Sequence, residues 1–147
     1  MSELEKKTAE KKFFKWKIPV GVQNVITSVM VGGANWASRH TFPNQVADLL
    51  GSHAARGNME HGLDAFAVFM YIKALGQLAH AENDEFDKNI FLAARLIYVI
   101  FLVYFEHQQS VDFSRPIQWD QLLSSGLGMA LAQLFLYMQE KKRSGKS

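Results

Sequence analysis

Several polar side chains stand in or beside apolar segments of this sequence: Arg56, Glu60, His61 and Asp64 around one, Arg95 and Tyr98 inside another, and Arg115 just before a third. His61 and Asp64 are three residues apart, as are Arg95 and Tyr98, so each pair shares one face if its segment is helical. Arg95 interrupts the run FLAARLIYVIFLVY (91–104). At a bilayer centre a guanidinium costs about 2.5–3.5 kcal/mol and is therefore turned inward, paired or functional. If the two faces meet, Asp64 and Arg95 form an ion pair inside the protein, which fixes helix register whether or not it also binds a ligand.

Other chemistries lack their residues. With no cysteine there is no thiolate metal site, no disulfide framework and no cysteine nucleophile. A di-iron bundle needs Glu-x-x-His pairs, and no glutamate has a histidine three residues later. His53 and His61 are too far apart for adjacent helical turns, and His80 and His107 fall at segment ends, so no metal site is expected. There is no Gly-rich phosphate loop, nucleophile elbow or HExxH motif, which argues against the usual hydrolase and kinase mechanisms.

The elements that must position the polar set are apolar segments at about 18–37, 61–80, 89–106 and 119–138. Each approaches the roughly 20 residues that span a bilayer. The first contains Gln23, Asn24 and a Gly32-Gly33 pair, and its β-branched content also suits a strand. The third follows the acidic stretch ENDEFDK, whose carboxylates suit a helix N-terminus, with Asp87 or Asn89 as N-cap. The fourth follows Ser114-Arg115-Pro116, which places the proline in a first turn. Its small residues Ser124, Ser125, Gly126, Gly128, Ala130 and Ala132 would admit a close neighbour. The short connections at 81–88 and 107–118 require antiparallel neighbours. The expectation is one all-α domain, an antiparallel up-down four-helix bundle over 18–138, with basic tails at 1–17 and 139–147.

Net charge is +2, yet Lys6, Lys7, Lys11, Lys12, Lys15 and Lys17 crowd the start and Lys141, Lys142, Arg143 and Lys146 the end. Without a basic face or binding motif between them, nucleic acid is not the expected partner. Basic clusters flanking apolar helices instead mark the non-translocated side of a membrane protein, which predicts both ends in the cytoplasm, or simply keep solvated tails soluble. A charged fraction of 20% and a mean hydropathy of −0.07 are closer to soluble proteins. Polar faces packed inward or into an oligomer reconcile the two, and so does a soluble bundle that keeps a membrane-like pattern.

Three stretches, HGLDAFAVF (61–69), AARLIY (93–98) and RPIQW (115–119), agree in order and spacing with the family of membrane-associated proteins in eicosanoid and glutathione metabolism (MAPEG). The sequence resembles that family over about residues 55–138, and its less characterised branch most. Gly57, His61, Asp64 and Ala67 stand where the family has arginine, asparagine, glutamate and proline, and Leu102 where it has a second tyrosine.

The resemblance implies a multi-pass integral membrane homotrimer that binds glutathione between subunits and uses it, as a transferase or peroxidase, on lipophilic substrates. Carried over by position, His61, Asp64, Arg95 and Tyr98 correspond to the glutathione-binding surface. Arg115 corresponds to the arginine that stabilises the thiolate. No metal is implied. The alternative is an inactive bundle of the same fold, diverged or engineered, and soluble if its lipid-facing positions were made polar.

Overall fold

A computed structural model describes residues 18–79 and 84–145, without the side chains of 84–88 and 90. The described residues are all helical, with no strand: α1 (Val20–His40), α2 (Pro43–Leu50), α3 (His53–Ala79), α4 (Asp84–Asp112) and α5 (Trp119–Ser144). The expected basic tail at 1–17 lies outside the described residues.

Local chemistry sets several boundaries. Pro43 begins α2, where its missing N–H is harmless, and Gly51 ends it in a left-handed conformation at φ 81°. Ser52 then caps α3, its Oγ accepting the Ala55 N–H at 3.0 Å. That cap starts α3 eight residues before the expected start at 61. Asp87 and Asn89, the expected N-caps of α4, fall inside the helix, which begins at Asp84. Pro116 lies in the connection before α5 rather than in its first turn. Far from ending at 138, α5 continues through Lys141, Lys142 and Arg143, cations that suit a helix C-terminus.

The long helix α3 is the centre of the fold. Asn24 near the start of α1 bonds Gln77 near the end of α3, and Asn35 bonds the Glu60 carbonyl, so α1 runs antiparallel to α3. Phe69 on α3 meets both Phe91 and Tyr98 on α4, edge to face. Lys73 sits over the Phe91 ring, which makes α4 antiparallel to α3 as well. Between α3 and α5, Phe69, Met70, Ala132 and Leu136 form the buried apolar cluster.

The α3–α5 seam brings the two backbones together. A Cβ on Gly128 would collide with the Gly62 carbonyl, and one on Gly62 would stand 3.1 Å from the Ser124 carbonyl. Of the small residues expected to admit a neighbour, Ser125, Gly128 and Ala132 are buried, whereas Ala130 is exposed. A neighbour that close needs small residues at helical spacing on one face.

On α1 the usual pattern of burial is inverted. The buried residues of α1 are Gly21, Asn24, Ser28, Asn35 and Ser38, while Ile26, Val29, Met30 and Trp36 are exposed. On α4 Leu96, Ile97, Ile100, Phe101 and Tyr104 face outward. Leu123, Leu127, Leu131 and Leu134 do so on α5. Three helices, His53–Ala79, the Phe91–Asp112 part of α4 and Trp119–Ser144, are long and apolar enough to cross a membrane.

Candidate functional site

The inward polar face of α1 and the first half of α3 build a charged cluster. Asn35 and Arg39 lie one turn apart on α1; Arg56, Glu60 and Asp64 are spaced by four on α3. Arg39 bridges two of the carboxylates, with Nη2 2.6 Å from Asp64 Oδ2 and Nε 3.2 Å from Glu60 Oε2. Asn35 Nδ2 donates to the Glu60 carbonyl at 3.0 Å and to Asp64 Oδ1 at 2.5 Å. Arg56 Nε lies 3.2 Å from Glu60 Oε1 but out of hydrogen-bond alignment, while its Nη1 donates to the Pro43 carbonyl and ties α2 to α3. Glu60 is only 8% exposed, and such a carboxylate needs close cations.

Beside this cluster a cavity of about 550 Å³ opens between α1, α3 and α4. Its polar wall is Arg39, His61, Asp64 and Tyr98; Tyr71, Phe101, Leu102 and Phe105 supply an aromatic and apolar wall. The volume is within the usual range for small-molecule sites, and the lining suits a ligand with a charged and a greasy part.

Three residues expected at the site, His61, Asp64 and Tyr98, therefore line one cavity. Arg95 does not line it. Its guanidinium lies 4.4 Å from the Phe91 ring centre and 5.9 Å from that of Phe69. The expected Asp64–Arg95 ion pair is absent among the described residues, because Asp64 is turned to α1, where Arg39 and Asn35 hold both its oxygens. The charge in the middle of α4 is balanced by aromatic faces instead of a carboxylate.

Arg115 is also outside the cavity lining. It stitches the α4–α5 connection: Nη2 donates to Gln109 Oε1 and lies 3.8 Å from Glu106, and its carbonyl accepts from Ser110 Oγ. Glu106, 5% exposed, in turn accepts the Gln118 N–H at 2.8 Å at the start of α5. This arginine holds a corner of the fold.

Arg39 and Asn35 stand outside the polar set that the sequence singles out. The signal for them was the spacing of Asn24, Ser28, Asn35, Ser38 and Arg39 along one face of the weakest apolar segment. Comparison with family models, curated proteins and solved structures gives no match to this chain.

Proposed function

We propose that this protein is a multi-pass membrane protein of MAPEG-like architecture that binds glutathione in the cavity between α1, α3 and α4. The observation that carries the membrane reading is the exposed apolar surface: α1 buries amides and hydroxyls while its Ile26, Val29, Met30 and Trp36, and most leucines of α4 and α5, face outward. In lipid this arrangement satisfies polar groups internally and leaves apolar groups to the acyl chains. The four long helices then form an up-down bundle, with α1 as the fourth span and its low hydropathy explained by its polar inner face. In a homotrimer the outward faces of α4 pack between subunits, and a neighbour closes the open side of the cavity.

Glutathione presents carboxylates, an ammonium and a thiol, for which Arg39, Asp64 and the Tyr98 hydroxyl are chemically suited partners. The apolar wall of Phe101, Leu102 and Phe105 suits a lipophilic electrophile beside the sulfur. In transfer the thiolate attacks the electrophilic carbon, forming a carbon–sulfur bond as the electron pair leaves with a departing group or passes into a conjugated acceptor that takes a proton from water; the thiolate population at neutral pH rises when a cation or hydrogen-bond donor faces it.

One observation favours a second reading, an inactive bundle of the same fold. Arg39 is engaged by two carboxylates and Arg115 by Glu106 and Gln109, so neither stands poised for a thiolate. Calorimetric titration of the detergent-solubilised protein with glutathione separates binding from no binding. Saturable binding that Asp64→Asn weakens, with helicity kept, is the expected result; absence of binding in the folded protein would overturn the glutathione assignment. Turnover with a model electrophile then separates catalysis from binding alone.

A further inference from the structure

A pair of cations lies on the side of α3 away from the cavity. Lys73 is nine residues from Asp64, about two and a half turns, so it points to the opposite face of the helix. There its Nζ stands 5.7 Å from the centre of the Phe91 ring on α4. The Arg95 guanidinium lies 4.4 Å from the same ring centre, and both cations are half-buried.

Neither charge is cancelled. Among the described residues Lys73 and Arg95 make no ion pair; the paired carboxylates belong to Arg39, Arg56 and Arg115. Glu140, the one carboxylate in the second half of α5, is exposed and pairs with neither cation. An aromatic face attracts a cation but carries no net charge. Two positive charges therefore remain together on helices long and apolar enough to cross a membrane. Such charges are rare within spans and mark a partner or a functional site.

The surroundings suit a lipid better than a free anion. α4 and α5 both pack on α3 and hardly on each other, which leaves a crevice between them. Phe91 of α4 and Met129 of α5 pack on the same buried cluster beneath it. Leu92 and Val99, three residues before and four after Arg95, share its face and are exposed. Depth agrees as well. α3 has 27 residues, about 40 Å of helix, against about 30 Å of hydrocarbon. Lys73 is about 9 Å from its end, so in a centred span the ammonium sits just inside the boundary and its stem extends toward the headgroup phosphates.

We propose that Lys73 and Arg95 bind the phosphate of an anionic phospholipid seated in the crevice between α4 and α5, its acyl chains lying along the exposed apolar side chains of α4. Charge complementarity selects the headgroup. A phosphate offers several acceptor oxygens to an ammonium and a guanidinium, and basic pockets between spans are where anionic headgroups bind. A zwitterionic lipid brings its own cation and leaves the pair uncompensated. The site rests on the membrane reading above, but neither on glutathione nor on which way the protein is oriented.

The test titrates the detergent-solubilised protein with phosphatidylglycerol, phosphatidylcholine and inorganic phosphate, and counts bound lipid by native mass spectrometry. The expected result is saturable phosphatidylglycerol, held at least about tenfold more tightly than phosphatidylcholine and not displaced by inorganic phosphate. Lys73→Gln combined with Arg95→Gln should abolish the preference, and either single glutamine variant should weaken it several-fold, so the test stands even where the double variant loses helicity. Lys73→Arg with Arg95→Lys keeps both charges and should keep the preference. Replacing Lys141, Lys142 and Arg143 by glutamine should keep it too, since these cations lie at the end of α5. Equal affinity for the two lipids, displacement by inorganic phosphate, or a preference lost with the α5 cations and kept without Lys73 and Arg95 overturns the site, and leaves the membrane reading standing while the protein stays in alkaline-washed membranes. Folded protein released by that washing overturns both.

Discussion

The two seams that α3 makes with α5 and with α4 are built by opposite means. Against α5, Gly62 and Gly128 let backbones touch, and Ser125, Ala132 and Leu136 continue the buried line. Against α4 there are rings: Phe69 on Phe91 and Tyr98, with Arg95 and Lys73 over the Phe91 face. The first seam is fixed by shape and tolerates no added atom. The second has adaptable contacts and leaves room for the cavity, so the fold joins a rigid pair of helices to a more open side where a ligand fits. Between them stands the α1–α3 contact, made of amides, hydroxyls and ions.

The sharpest break is expected at the rigid seam. Gly128→Leu must displace the Gly62 backbone rather than a flexible side chain, and should cost about 3 kcal/mol or more. A large fall in thermal midpoint in detergent checks it; an unchanged midpoint would mean that α3 and α5 are not in backbone contact. A smaller effect is expected for Arg39→Ala, which leaves Glu60 and Asp64 facing each other without their shared cation. With Arg39 itself 37% exposed, the loss should be about 2 kcal/mol. Arg39→Lys should recover only part of it, because one ammonium cannot reproduce the guanidinium fork. The smallest effect belongs to the ring-lined side: Arg95→Ala should cost about 1 kcal/mol, with Arg95→Lys close to wild type. If Arg95→Ala cost more than Gly128→Leu, the contrast between the seams would be reversed.

The sequence is a better guide to the fold than to the site. Four apolar segments mark the four long helices, whereas the short helix PNQVADLL (43–50) lies between the first two segments, bounded by Pro43 and Gly51 and without an apolar run long enough to announce it. Helix ends shift where capping extends them, as at Ser52, or where basic residues continue a helix, as at Lys141 to Arg143. That His61 and Asp64 share one face follows from three-residue spacing, and both line the cavity. An Asp64–Arg95 pair follows from the spacing only if the two faces meet; what decides the pairing is that Asn35 and Arg39 on α1 are opposite Asp64, a fact of tertiary register. Their own polar stripe is visible in the sequence, but in a segment that reads as the weakest helix.

The central claim is that the outward apolar faces meet lipid. The measurement that tests it most directly is partition of the expressed protein after detergent-free lysis and alkaline washing of the membranes. The account predicts that the protein stays in the membrane pellet and is released only by detergent, with its helicity intact. A folded protein found free in the supernatant would contradict it.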